Sequence, residues 1–362
     1  MTKSIPRAGF LTAGVIAAVA SAIVAGPAFG GGPGGGPAGG PEGKRPGGPS
    51  AVPVTDQSLA ELAKPAGLVV GTAVNVDALA EDEKYRAIVE REFNSITAEN
   101  VMKWEALEPE PGVYTYEKAD ELIAWAKKRG KVVRGHTLVW HNQYPSCINE
   151  EDYTKEELRA ILKKHVIETA RHFKGKLYEW DVINEYFNED GSLRDTIWLR
   201  ALGEDYIADL FRWARQGDPK VKLYYNDYNL EWIGPKSDAA YALLKKLRAQ
   251  GVPVDGIGFQ GHLGGQYGFD TGVYKNFKRF PDLGLEISVT EADVRYELPA
   301  DNYKVQSQVQ GYHSLLQPCL LVPACHSFTI WGVSDNYSWV PGVFQGEGNA
   351  LLWDADYQPK PA

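Results

Sequence analysis

An α/β fold of the (β/α)₈ TIM-barrel type is predicted by three observations. Short apolar or β-branched runs alternate with amphipathic stretches across residues 56–362, the runs number eight, and polar residues collect at their C-terminal ends. Such alternation implies parallel strands joined by crossover helices, and eight units are the number that closes a barrel. A doubly wound open sheet is the main alternative architecture.

In chain order the runs are LVVGTAV from residue 68, FNSITAEN from 93, KVVRGHTLVW from 131, LYEWDVINE from 177, VKLYYNDYN from 221, VDGIGFQGHL from 254, LEISVTEAD from 285 and CHSFTIWGVSD from 325. Between them lie helical patterns such as YEKADELIAWAKKRG and SDAAYALLKKLRAQG, each closed by a glycine stop. The polar ends are Glu99 and Asn100, His136 and His141, Asn184 and Glu185, Asn226 and Asp227, Gln260 and His262, and Glu291. In a barrel these ends converge on one face, where active sites are built. Helix capping is the bland alternative, but it suits Asn and Asp far better than Glu, Gln or His.

Upstream of this domain, Lys3 and Arg7 precede the sixteen-residue run FLTAGVIAAVASAIVA. A charged start and an apolar centre predict a secretory signal peptide over residues 1–28. The run is shorter than the about 20 residues of a membrane span; an uncleaved anchor is the alternative. Residues 29–55 are dominated by Gly and Pro, which predicts a flexible spacer rather than a folded unit. Residues 56–362 are expected to form one catalytic domain, secreted and monomeric.

The formal charge is −9 with no basic cluster in the folded part, so nucleic acid is not an expected partner and a neutral or cationic substrate fits better. Neither a zinc-site spacing nor a phosphate-binding glycine loop after a strand occurs, so no metal or cofactor is expected. Cys319 and Cys325 lie six apart, a spacing that can close a small disulfide loop in an exported protein. Cys147 is left over and reads as a partly buried free thiol.

Two carboxylates, Glu185 and Glu291, end the fourth and seventh runs beside Asn184 and Thr290. Paired carboxyl groups on one barrel face, without a metal site, suit glycoside hydrolysis, in which one protonates the leaving oxygen and the other attacks or activates water. Other acids read as structural. Asp181 is set about 13 Å deeper along its strand at about 3.3 Å per residue, Glu286 is set back similarly, and Glu105, Glu108 and Glu110 look like a solvated loop.

Seven segments in order, TAENVMKWE at 97, RGHTLVWH at 134, WDVINE at 180, YYNDYN at 224, GIGFQGHL at 256, VTEAD at 289 and WGVSDNYSW at 331, give the chain a specific resemblance. From about residue 60 to its end it resembles family 10 glycoside hydrolases, a group that contains many endo-β-1,4-xylanases. The resemblance implies a retaining mechanism with Glu185 as acid/base and Glu291 as nucleophile. Two negative charges that close disfavour one another, so Glu185 is expected to hold its proton until Glu291 is glycosylated, and then to serve as base.

By the same resemblance His262 holds the nucleophile ionised and Asn184 binds the sugar 2-hydroxyl. Glu99, Asn100, Lys103, His136, Trp140 and Gln260 match positions on the glycone side; Gln143, Tyr228 and Asn229 are expected across the scissile bond. Trp331 and Trp339 would stack on sugar, with Trp339 crowding the hydroxymethyl group of a hexose. The implied substrates are xylan and xylo-oligosaccharides. A β-1,4-glucan or mixed-linkage glucan hydrolase, and a carbohydrate-binding barrel without activity, are the alternatives.

Three features depart from the family pattern: PSC at Cys147 for PSW, Ala292 in TEAD for Leu, and a chain that stops at YQPKPA, where the family begins its eighth helix. A barrel lacking that outer helix is expected to expose apolar surface beside its first and last strands.

Overall fold

The computed structural model describes residues 56–362. The signal peptide and spacer expected over residues 1–55 lie outside the described residues. Eight parallel strands close a barrel: β1 (Val69–Val74), β2 (Ser95–Ala98), β3 (Val132–Gly135), β4 (Glu179–Asn184), β5 (Lys222–Asp227), β6 (Gly256–Phe259), β7 (Glu286–Glu297) and β8 (Cys325–Ile330). Each pairs in parallel with the next, and β8 returns to β1 through the register Val69↔Ser327 to Thr72↔Ile330. The open-sheet alternative is thereby excluded.

Seven helices cross between the strands: α1 (Glu83–Glu92), α2 (Glu117–Lys128), α3 (Lys155–His172), α4 (Tyr206–Gly217), α5 (Pro235–Ala249), α6 (Val273–Arg279) and α7 (Asn302–Leu321). Their limits follow from local chemistry. In α2 the apolar residues Ala119, Leu122, Ile123 and Ala126 recur at helical spacing and are buried, while Gly130 beyond its end adopts φ +68°. Helix α3 opens on a reciprocal capping box, in which Thr154 caps Glu157 N–H and Glu157 caps Thr154 N–H.

Among the described residues no helix longer than four residues follows β8. Leu62 just before β1, and Leu320 and Leu321 just before β8, are exposed. The closing segment still reaches the barrel: Trp353 packs edge-on to Phe93, Lys360 pairs with Asp335 at 2.8 Å, and the Tyr357 hydroxyl bonds to Asp82. The disulfide between Cys319 and Cys325 is present, joining the end of α7 to β8 across 5.2 Å between Cα atoms. Cys147 is free but exposed, not partly buried, because its loop turns outward after Pro145.

The barrel interior is filled rather than hollow. Trp180 on β4 is almost fully buried and lies across Gly135 on β3, so closely that a Cβ there would overlap its ring. Only glycine leaves this space. Gly135→Ala is expected to lower stability by roughly 3 kcal/mol or more, toward the severe end of overpacking, read as a reduced urea midpoint; an unchanged midpoint would show that Trp180 can move aside.

Candidate active site

Strand β4 delivers Asn184 and Glu185 to the same place, although neighbours on a regular strand point to opposite faces. The reason is local. Glu185 lies one residue past the strand with φ +59°, and its N–H is fixed to Asn226 O at 2.9 Å, so the alternation breaks there. The side-chain amide of Asn184 then donates to Glu185 Oε1 at 3.3 Å. A left-handed backbone at a residue with a long side chain is strained, and such strain gathers at functional positions.

Glu291 stands on β7 and is 4% exposed. Its Oε1 accepts from Asn226 Nδ2 at 2.6 Å and its Oε2 from His262 Nε2 at 3.2 Å, while His136 Nδ1 lies 3.7 Å away. Burial alone would raise its pKa, but His136, His262 and Arg134 outweigh that and hold it at about 2. Burial lowers the pKa of His262 in turn, yet Asp293 at 2.9 Å and Glu291 push it up to about 10. His262 therefore carries a proton on both nitrogens at neutral pH.

Behind these pairs lies a second layer. Asp293 accepts from Trp339 Nε1 at 2.7 Å, so an indole, a carboxylate, an imidazolium and Glu291 form one chain. Asp181 accepts from His136 Nδ1 at 2.9 Å and pairs with Arg134, which also reaches Glu179 at 2.7 Å. Asn226 links the two halves. Thr290 Oγ1 donates to its Oδ1 at 2.7 Å, which turns its amide hydrogens toward Asn184 Oδ1 at 2.8 Å and Glu291 Oε1. Gln260 Nε2 completes the bridge, 3.2 Å from Asn184 Oδ1 and 3.3 Å from Glu185 Oε1.

The remaining expected residues fall into two groups around this centre. Lys103 Nζ donates to Asn100 at 3.0 Å and Gln143 at 2.7 Å, and sits 5.0 Å from the centre of the Trp140 ring, with Glu99 beside it. Burial lowers the Lys103 pKa, and Glu99, Glu291 and Glu185 oppose it. Trp331 meets His136 edge-on at 5.1 Å. On another side, Tyr228 takes a hydrogen bond from Arg194 at 2.9 Å under Lys236 Nζ, 3.3 Å from its ring centre, and Asn229 donates to Glu189 at 3.0 Å. His141 Nδ1 is 3.8 Å from Glu185 Oε2; burial and Arg194 push its pKa down to about 3, so it is neutral.

His136, Asp181 and Glu291 are the one acidic and imidazole group among the described residues whose ligand atoms could converge on a cation. Their charges are already answered by Arg134 and His262. What this constellation can do is acid-base and nucleophilic chemistry on a neutral substrate: an ionised, desolvated carboxylate, a second carboxyl two side chains away, and convergent hydroxyl-binding groups.

The sequence model described as glycosyl hydrolase family 10 matches residues 58–362. The chain belongs to glycosyl hydrolase family 10. It is a glycoside hydrolase on a barrel like those of its relatives. It is 41% identical to endo-1,4-beta-xylanase B of Thermotoga neapolitana over 309 residues, covering 84% of this chain and 89% of that one. It is 43% identical to endo-1,4-beta-xylanase 5 of Pyricularia oryzae, covering 84% and 76%. The crystal structure of xylanase 10B from Thermotoga petrophila in complex with xylobiose superposes with a TM-score of 0.82 at 41% identity, covering 85% of this chain and 95% of that one.

Within this family 10 barrel, one placement differs from that expected. Glu108 is buried rather than solvated, accepting from His165 Nδ1 at 2.7 Å and Gly112 N–H at 2.6 Å. Asp181 is buried and structural as expected, and it bonds to His136, which in turn lies 3.7 Å from Glu291. Gln143 bonds to Lys103 and lies 3.4 Å from Asn100. The sequence reading assigned no role to Asn226, Asp293 or His141; each lies in or beside a quoted strand end, and that position was the available signal.

The His262 charge yields a signed expectation. Its pKa is raised from 6.5 to about 10, so the stability it contributes is fully present below pH 6.5 and is lost as the pH rises through about 10. The difference in unfolding free energy between this protein and His262→Ala is expected to be largest below about pH 6.5 and to shrink toward about pH 10. Denaturant titrations over that range check it; a difference that grows with pH contradicts the charged pairing.

Proposed function

We propose that residues 56–362 are the catalytic unit of a secreted, retaining endo-β-1,4-xylanase that cleaves internal bonds of xylan and xylo-oligosaccharides, without a cofactor and as a monomer. The observation that carries the retaining reading is Glu291: buried, its pKa held at about 2 by imidazole and guanidinium neighbours, and joined to Glu185 through Asn226 and Asn184. The relatives' names and the xylobiose complex support the substrate class. For export, the charged and apolar N-terminal segment is the support; among the described residues no helix is long and apolar enough to cross a membrane.

In the first step an oxygen of Glu291 attacks the anomeric carbon while Glu185 gives its proton to the glycosidic oxygen, and the leaving chain departs. Retention needs carboxyl groups about 5 to 5.5 Å apart, close enough for direct attack. Once Glu291 is esterified its negative charge is gone, and Glu185, now ionised, draws a proton from water as the water attacks the same carbon and releases Glu291. Asn184 holds the 2-hydroxyl, a contact that strengthens as positive charge develops on the ring. Trp339, fixed by Asp293, limits room beside the ring and favours a pentose polymer over glucan.

Reducing-sugar release from xylan is the primary test, with far slower release from carboxymethyl cellulose expected. Glu291→Ala is expected to lose roughly 10⁴-fold or more of that rate, the scale seen when a covalent nucleophile is removed. Azide should restore turnover of an aryl β-xylobioside with inverted product; wild-type rates in the variant would overturn the assignment. Glu185→Ala is expected to slow xylan hydrolysis far more than hydrolysis of an aryl xylobioside whose leaving group needs no proton. Equal losses on the two substrates would remove Glu185 from the role of acid.

A further inference from the structure

Between the two carboxylates runs the short segment Gln260, Gly261 and His262, with one residue on each half of the site. Gln260 reaches Asn184 and Glu185, and His262 reaches Glu291 and Asp293. Most of this segment is fastened by backbone bonds: Gln260 N–H to Asp227 O at 3.1 Å, Glu291 N–H to Gln260 O at 2.8 Å, and Asp293 N–H to Gly261 O at 3.3 Å. The N–H of Gly261 is held differently. It donates to a side chain, Glu231 Oε1, at 2.7 Å.

Glu231 follows β5 and is 1% exposed. Among the described residues its second oxygen, Oε2, has no hydrogen-bond partner. The residue lines a cavity of about 280 Å³ shared with His262, Arg295 and Leu315. Burial raises its pKa to about 7, against the Gly261 N–H, Lys236 and His262, which favour its charge. A buried carboxyl outside the reacting pair is costly unless it does something for its neighbours. Gly261 itself has no latitude: φ is +79°, and a Cβ would stand 2.9 Å from Leu315 Cδ1.

We propose that Glu231 is a positioning residue for both catalytic carboxylates, acting through the Gly261 N–H to set Gln260 against Glu185 and His262 against Glu291. The inference rests on the roles proposed above for those two carboxylates. Releasing Gly261 frees the peptide from which both neighbours project, and misplacement of reacting groups by about 1 Å costs on the order of 10²-fold in rate. Because Glu231 touches no reacting atom, substrate affinity depends on it less than turnover does.

The test is steady-state kinetics of Glu231→Ala and Glu231→Gln on xylan and on an aryl β-xylobioside, with Glu291→Ala in the same assays. Glu231→Ala is expected to lower kcat by about 10²-fold on both substrates while KM moves by less than about threefold. A fault confined to the acid would spare the aryl substrate. Glu231→Gln keeps an acceptor for Gly261 N–H and is expected to return kcat to within about threefold of the parent.

A folded Glu231→Ala with near-parental kcat overturns the proposal, as does a Gln variant as slow as the Ala variant. Circular dichroism establishes folding. If the Ala variant does not fold, Glu231→Asp, one methylene shorter, is expected to fold and to lose about tenfold in kcat by drawing the acceptor away; parental kcat in it is the overturning result. An active Glu291→Ala would instead bring down the underlying carboxylate assignment, whatever the Glu231 variants do.

Discussion

Keeping Glu291 ionised in a nearly dry barrel mouth is the constraint around which the rest of the site is arranged. A lone carboxylate at that depth would take up a proton, because burial disfavours the charged form. Here the compensation comes from three side chains on two strands: Arg134 and His136 at and beyond the end of β3, and His262 beyond β6. His262 comes from beside β6, which pairs directly with β7, but Arg134 and His136 reach Glu291 only because the strands curl into a barrel that brings β3 across from β7. Fold and chemistry meet in that requirement.

The same constraint explains the unusual number of buried ionic side chains beneath the site. Arg134 needs Asp181 and Glu179, and His262 needs Asp293, so each cation that steadies Glu291 is itself answered by an anion. Breaking any one of these buried pairs leaves an uncompensated charge, a larger penalty than the pair's own net contribution. The polar floor is therefore coupled as a unit, and Asn226 carries that coupling across to Asn184 and Glu185 through a single amide oriented by Thr290.

The barrel was readable from the sequence because parallel strands covered on both faces appear as apolar runs, and all eight runs became strands. The ends of those runs were readable for a related reason: a Glu or His closing an apolar strand has no structural excuse there. What could not be read was pairing between distant segments. Glu108 sat in an acidic loop sequence, and nothing near it announced His165, 57 residues on. The depth of Asp181 could be read from its strand, but its partners Arg134 and His136, 47 and 45 residues earlier, could not. Glu231 and Gly261, 30 residues apart, were separated by a helix pattern that drew attention to itself.

The backbone of Glu185 carries a consequence for how this protein can change. With φ +59°, it occupies a conformation that glycine adopts without penalty and a long side chain adopts at a cost. Local stability and catalysis are thus opposed at this one position. A screen for heat resistance that ignored turnover would find relief here by discarding the acid, and a lineage released from its substrate would drift the same way. A glutamate in that conformation is explained by what its carboxyl does rather than by how its backbone folds.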